Sequence, residues 1–427
     1  MIDYLLSNAE AEDWQIVLAD ANLLLAEQKI SGHPRGRAVA CDINDTNMRQ
    51  ALIAQGNFVI SMLPAFLHIL VAQDCLHYGI DMATASYLSD EIKALEPALI
   101  EKGLVFANEL GLDPGIDHMS AMQLLDEIKY KGGQITSFKS YTGGLVAPEN
   151  DDNPWHYKVS WNPRNVVLAG QCTSQFLEKG KIKFTPYSRL FSEAEDVEVI
   201  GHGKYSMYVN RDSIKYVDIY RLHGVETMIR GTFRGEGYCD AWSVLIALGM
   251  TDNSTTLSLN PGFTFASFTD SFLINSDSEP KDRIERTIKR NISPATFEKL
   301  EWLGMFSDDV CPLQHATPAE VIEHFIVNKW VLRPGDKDLI VMQHEIKYML
   351  EGQEHTLFST LYREGKDDVH TAMSELVGLP LAIYTKLRLR GMFNKPGATI
   401  PVEKEMYEPI LQELSQFGIQ FHESEGI

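Results

Sequence analysis

At 427 residues, with 44% hydrophobic and 23% charged side chains, the chain can build two or three cores and has the balance of an ordinary folded protein. Its 59 acidic residues against 38 basic ones leave a net charge of -21, which argues against nucleic acid or an anionic membrane as partner, because both need a basic face. The five cysteines never pair as C-x-x-C, and the longest apolar run, residues 58–72, is broken by Pro64 and His68; a reducing cytoplasm is expected, with no disulfide scaffold, zinc ribbon or bilayer span.

Short apolar runs at residues 14–19, 37–41, 57–63, 80–85 and 104–107 read as strands, and stretches with helical period lie between them. Strands at this spacing, each followed by a helix, predict a parallel sheet with right-handed crossovers, an architecture suited to a nucleotide. The rhythm changes at about Pro114. A helix over 115–131 leads into β-rich sequence to about residue 238, and 240–329 reads as helical with Ser293-Pro294 and Thr317-Pro318 as starts. Strand character returns at 338–349 and 354–363, and helices fill the rest. The expected class is α/β: a Rossmann-like nucleotide domain over 1–113, a mixed α/β domain over 114–239 and 330–378, and a helical insertion over 240–329.

Ligands in such sheets gather at the carboxyl ends of the strands. Asp20 ends the first strand, where an acid can bind the adenosine ribose and repel a 2′-phosphate; this predicts NAD, with NADP disfavoured. The local alternative is a cap for the helix that follows. Asp42 ends the next strand and could border the adenine. Ser61, Leu63 and Pro64 end the third, Thr84, Ala85 and Ser86 the fourth, and Leu112 is counted with the cofactor-facing positions.

Residues 109–121, ELGLDPGIDHMSA, bring Asp113, Asp117 and His118 together where the nucleotide domain hands over to the next. A carboxylate there could hold an ammonium, and a histidine could move protons near neutral pH. Asp113-Pro114 also reads as a plain helix start. The irregular stretch 141–170 adds Lys158 and Arg164, and Arg211, Arg230 and Arg234 lie in sequence near Thr232. Arginines that fork onto carboxylates are the functional reading of these, and solvent-facing strand charges the bland one. Gly231, Gly235 and Gly237 fit neither a P-loop nor a dinucleotide fingerprint. No H-E-x-x-H, G-x-S-x-G or His/Cys cluster occurs, and His344-Glu345 lacks a second histidine, so no metal is expected.

Residues 109–121 closely resemble the N-E-[IL]-G-L-D-P-G-[IL]-D-H segment of the saccharopine reductase/dehydrogenase family. The resemblance continues through 141–161, the NRDS segment at 210–213, RGTFRGEGY at 230–238, DLIVMQHEI at 338–346 and TAMSELVGLPLAI at 371–383. It implies a variant Rossmann domain to which residues 379–427 return, a mixed α/β substrate domain and an inserted helical domain. The implied reaction is NAD(P)-dependent oxidation of saccharopine at its secondary amine, with water splitting the imine into glutamate and 2-aminoadipate 6-semialdehyde, or the reverse. Carried over by motif, Ser86, Asp113, Thr142, Arg211 and Thr232 match substrate contacts, and Asp113 and Asp117 remain alternative proton carriers. Fungal members typically have Cys where this chain has Thr142. A homodimer is an open expectation.

The glycine-rich loop that cradles a pyrophosphate should precede the ribose-reading acid by about 20 residues. Counting back from Asp20 places it at or before Met1, and no glycine precedes Asp13. A preceding strand and loop are therefore expected in the natural protein. The competing readings are a carboxynorspermidine or lysine dehydrogenase of the same superfamily, and a non-catalytic regulatory homologue.

Overall fold

The computed structural model describes residues 1–426. The described residues pack as two units, Met1–Tyr130 with Ser374–Gln420, and Lys131–Met373 with residues 421–426.

In the first unit the strands are β1 (Ile16–Asp20), β2 (Gly36–Ala40), β3 (Phe58–Ser61), β4 (Asp81–Thr84) and β5 (Val105–Ala107), each within two residues of its expected bounds. All pair in parallel, as the intervening helices dictate. The short strand Gly397–Thr399 adds to β5. The array is interrupted: β1 pairs with β2, β3–β4–β5 form a separate sheet with Gly397–Thr399, and among the described residues no strand joins β1 to β3. That interruption falls where a doubly wound sheet has its first strand.

Local chemistry starts and stops the helices. Asn22, Asp45 and Ser89 each accept a backbone N–H three residues on, capping Leu23–Ile30, Thr46–Ile53 and Asp90–Lys93. Gly79, in the left-handed conformation that favours glycine, ends His68–Tyr78. Beneath these helices lie Val71, Cys75, Met82, Leu99 and Phe106. A buried ion pair ties two of the helices together: Arg49 Nε donates to Asp74 at 2.6 Å, Gln50 Nε2 donates to the other oxygen at 2.8 Å, and Arg49 also reaches the Ile43 carbonyl.

The second unit is built on a mixed sheet. Its strands are β6 (Gln134–Val146), β7 (Ser174–Glu178), β8 (Lys181–Thr185), β9 (Glu195–Val199), β10 (Gly203–Val209), β11 (Thr227–Arg234), β12 (Leu257–Ser258), β13 (His315–Ala316), β14 (Asp338–Leu350) and β15 (Gln353–Glu364). The main sheet runs β15-β14-β6-β11-β10-β9, with β7 and β8 attached at β11 and β12–β13 a small pair apart. The strand His422–Glu425 extends the sheet beyond β15, pairing His422 with Thr360. Backbone pairing thus carries the last residues into the second unit, a correction to the expectation that all of 379–427 return to the nucleotide domain.

The helices of the 240–329 stretch do not make a core of their own. They bury Trp242, Leu300 and Ile322 against Trp330 and against Trp155 and Tyr157 from the irregular stretch, and Trp155 Nε1 donates to the Lys299 carbonyl at 2.8 Å. Ser293 caps Pro294–Leu303, and Thr317 and Glu320 form a capping box on Pro318–Lys329.

Candidate active site

At the carboxyl edge of the first unit, Asp20, Asp42, Met62 and Pro64 are exposed where β1, β2 and β3 end, while Met82 and Ala83 inside β4 are buried. Asp20 is held locally: its Oδ1 accepts the Asn22 N–H at 2.7 Å, and Asn22 itself caps the helix. Asp42 likewise accepts the Asn44 N–H at 2.9 Å. No glycine-rich pyrophosphate loop lies among the described residues.

The ends of β3 and β4 carry a connected polar group. Ser61 pairs in register with Thr84. His68, the first residue of His68–Tyr78, lies 2.7 Å through Nδ1 from Ser61 Oγ and 2.7 Å through Nε2 from Ser86 Oγ. The Ser86 backbone N–H donates to Thr84 Oγ1 at 3.2 Å. Burial lowers the pKa of His68, favouring a neutral ring.

Next to it, the ELGLDPGIDH segment is fixed through its own side chains. Glu109, in a left-handed conformation, donates its N–H to the Ser86 carbonyl at 2.9 Å, and one carboxylate oxygen accepts the Leu88 N–H at 3.1 Å. The other lies 2.7 Å from His118 Nε2. Asp117 Oδ1 accepts the Gly115 N–H at 2.6 Å, its second oxygen is 3.6 Å from His118 Nδ1, and only 1% of the residue is exposed. The helix begins at Ile116, so Asp113-Pro114 is not its cap pair. Asp113 is half-buried and accepts the Tyr87 hydroxyl at 3.1 Å. Leu112 is buried beside it.

In the second unit, register assembles what the sequence separates. Residues paired across a sheet share a face. Thr232 on β11 is opposite Thr142 on β6, Tyr208 on β10 is opposite Thr232, and Met342 on β14 is opposite Thr142. Two positions along, Arg230, Ser140 and His344 form the next row. Thr142 is 7% exposed and its hydroxyl has no hydrogen-bond partner among the described residues. Arg211 is exposed, just past the end of β10, where Asn210 donates its N–H to the Arg230 carbonyl at 2.7 Å.

The other expected cations have different fates. Lys158 is buried and paired with Asp336 at 2.7 Å and Asp152 at 3.0 Å, and Arg164 is paired with Glu323 at 3.0 Å. Arg230 lies over the Tyr216 ring at 4.3 Å. Arg234 is buried among Tyr157, Tyr208 and Tyr238, with its guanidinium carbon 5.4–5.6 Å from the three ring centres. Gly235 is needed for packing, since a Cβ there would meet His156 Cβ at 2.5 Å. No group of His, Cys, Asp or Glu among the described residues could hold a metal. Sequence reasoning passed over His68, Tyr87 and Glu109, whose partners lie 7–26 positions away at no spacing that a motif marks.

A Rossmann-type sheet with a polar carboxyl edge, beside an acid and hydroxyl cluster, defines the class as a dinucleotide-dependent oxidoreductase. Residues 1–106 match the model of the saccharopine dehydrogenase NADP binding domain, and residues 111–419 that of the saccharopine dehydrogenase C-terminal domain. The chain belongs to the saccharopine dehydrogenase family. It is 31% identical over 419 residues to saccharopine dehydrogenase [NADP(+), L-glutamate-forming] of Schizosaccharomyces pombe, covering 96% of this chain and 93% of that protein. It is 34% identical over 380 residues to mitochondrial alpha-aminoadipic semialdehyde synthase of Bos taurus, covering 87% of this chain and 41% of that one. The apo structure of saccharopine dehydrogenase (L-Glu forming) from Saccharomyces cerevisiae superposes with a TM-score of 0.88 at 30% identity, covering 100% of this chain and 96% of that one.

These likenesses correct the expectation of NAD. The matching domain model is described as NADP binding, and the fungal relatives are named for NADP(+). The preference for NAD rested on Asp20 at a strand end, and an acid at that place does not exclude a 2′-phosphate carrier in this family.

Proposed function

We propose that the chain interconverts saccharopine with glutamate and 2-aminoadipate 6-semialdehyde, using NADP+ or NADPH. The observation that carries this reading is the register of β6 and β11: Thr142 and Thr232, two substrate positions implied by sequence motif, are direct cross-strand partners on one face. The family's full-length match supports it.

On the first unit, Asp20, Asp42, Leu63, Pro64 and Ala85, exposed or half-buried at the strand ends, would border the cofactor, with the buried Ser61, Thr84 and Leu112 behind them. Bound NADP+ supplies the hydride acceptor. Ser86 offers a hydroxyl and Asp113 a carboxylate to the substrate's amines. Asp113 is better placed than Asp117 to hold or move a proton, because Asp117 is buried and committed to Gly115 N–H. Tyr87, donating to Asp113, keeps that carboxylate oriented. On the second unit, Arg211 supplies a positive charge for a substrate carboxylate, and Thr142 and Thr232 supply hydroxyls. A cytoplasmic setting is supported by five free cysteines, four of them buried.

The test is NADPH formation from saccharopine, run beside NAD+ and beside carboxynorspermidine and lysine as substrates. Turnover of saccharopine with NADP+ favoured is the expected result. Turnover of another amine alone, or none, would overturn the assignment.

A further inference from the structure

We propose that His68 is a positioning residue that sets the direction in which the Ser86 hydroxyl meets substrate. The inference rests on the reading above that Ser86 contacts saccharopine.

Three elements meet at this ring. Ser61 closes β3, His68 opens the helix that follows, and Ser86 lies two residues past β4. The imidazole is 2% exposed, and each nitrogen is 2.7 Å from a serine oxygen. Thr84 Oγ1 stands 3.5 Å from Nε2 and accepts the Ser86 N–H, which anchors the backbone of the same serine. Ser61, Thr84 and His68 are buried, whereas Ser86 is half-buried, so the chain of hydrogen bonds starts in the interior and ends on the most exposed of the four residues.

A neutral imidazole has one N–H and one lone pair, so it donates to one serine and accepts from the other. The Ser86 hydroxyl has a single hydrogen. When Nδ1–H donates to Ser61, Nε2 takes the Ser86 hydrogen, and the Ser86 lone pairs are left to receive an N–H from a substrate amine. In the opposite tautomer Ser86 accepts from the ring and keeps its hydrogen for a carboxylate. Either way Ser86 does not choose its direction independently of His68. A ring that merely filled space would not need both nitrogens on hydroxyls or an end at this serine.

The experiment is a kinetic double-mutant cycle on the full chain: wild type, Ser86→Ala, His68→Ala and the double variant, with His68→Gln as rescue. Ser86→Ala should raise the saccharopine KM about 5–10-fold, the worth of one hydrogen bond, with kcat within about 2-fold. His68→Ala should give a similar rise, and the double variant no more than either single. A glutamine amide at this position reaches toward the place of Nε2, so His68→Gln should recover most of the affinity. Effects that multiply in the double variant, or a His68→Ala protein with a lower Tm and an unchanged KM, would overturn the proposal while leaving the function standing. Should His68→Ala not fold, the cycle is read with His68→Gln: a wild-type KM supports the proposal, and a loss that multiplies with Ser86→Ala sinks it. An unmoved KM in Ser86→Ala removes Ser86 from the substrate site and the proposal with it. Absence of saccharopine turnover by the wild type overturns the functional reading itself.

Discussion

Thr142→Val separates stability from binding at one atom. Thr142 is 7% exposed on β6, between Thr232 and Met342, and its hydroxyl has no hydrogen-bond partner among the described residues. Burying a hydroxyl unpaired costs ~1–3 kcal/mol in proteins. Valine keeps the β-branched outline that suits a strand and removes the uncompensated oxygen. Allowing for imperfect repacking of a methyl where the hydroxyl was, the protein alone should gain about 1–2 kcal/mol. For a unit of this size that is a rise of about 2–4 °C in Tm. If the hydroxyl is kept because substrate supplies its partner, the saccharopine KM should rise about 5–10-fold in the same variant. Calorimetry and steady-state kinetics on one preparation read both. A lower Tm would mean that the hydroxyl is satisfied in the free protein; an unchanged KM would mean that substrate does not reach it.

Arg211→Ala should raise the saccharopine KM about 30-fold, since truncating a charge-assisted contact to a carboxylate costs ~2 kcal/mol; wild-type kinetics would remove Arg211 from the site. Asp74→Ala leaves Arg49 buried without its carboxylate, with both side chains 7% exposed, and should destabilise the first unit by about 3–5 kcal/mol in a denaturant titration. A loss below about 1 kcal/mol would show that Arg49 finds water. Burial lowers the pKa of His68 below its ordinary 6.5, so as pH falls the unfolded chain takes up that proton first. The contribution is complete above the unfolded pKa and is lost as pH drops through it toward the folded one. Wild type should therefore lose more Tm than His68→Gln between pH about 7.5 and about 5.5, and parallel curves would place the acid sensitivity elsewhere.

Much of this protein was written in short stretches of sequence. The strands at 14–19, 37–41 and 80–85 and their helices declare themselves because hydrophobic period and cap chemistry act within a few residues. Ser293 and Thr317 cap the helices their positions announce, for the same reason. The interruption between β1 and β3 was foreshadowed by the lack of an early glycine loop. Asp20 shows the limit of such reading: its place at a strand end suggested NAD, whereas the family match is to an NADP binding domain.

What the tertiary structure alone decided is which distant residues meet. Lys158 looked like an available charge until Asp336, far along the chain, neutralised it, and Arg234 until three tyrosines enclosed it. Thr142 and Thr232 face each other because β6 and β11 pair in one register, and a slip of one residue would turn either to the opposite face. His68 reaches Ser86 because a helix start and two parallel strand ends converge, an arrangement that no local period records. Elements are set by interactions within a turn or a strand, whereas contacts between elements depend on register and packing summed over the whole chain.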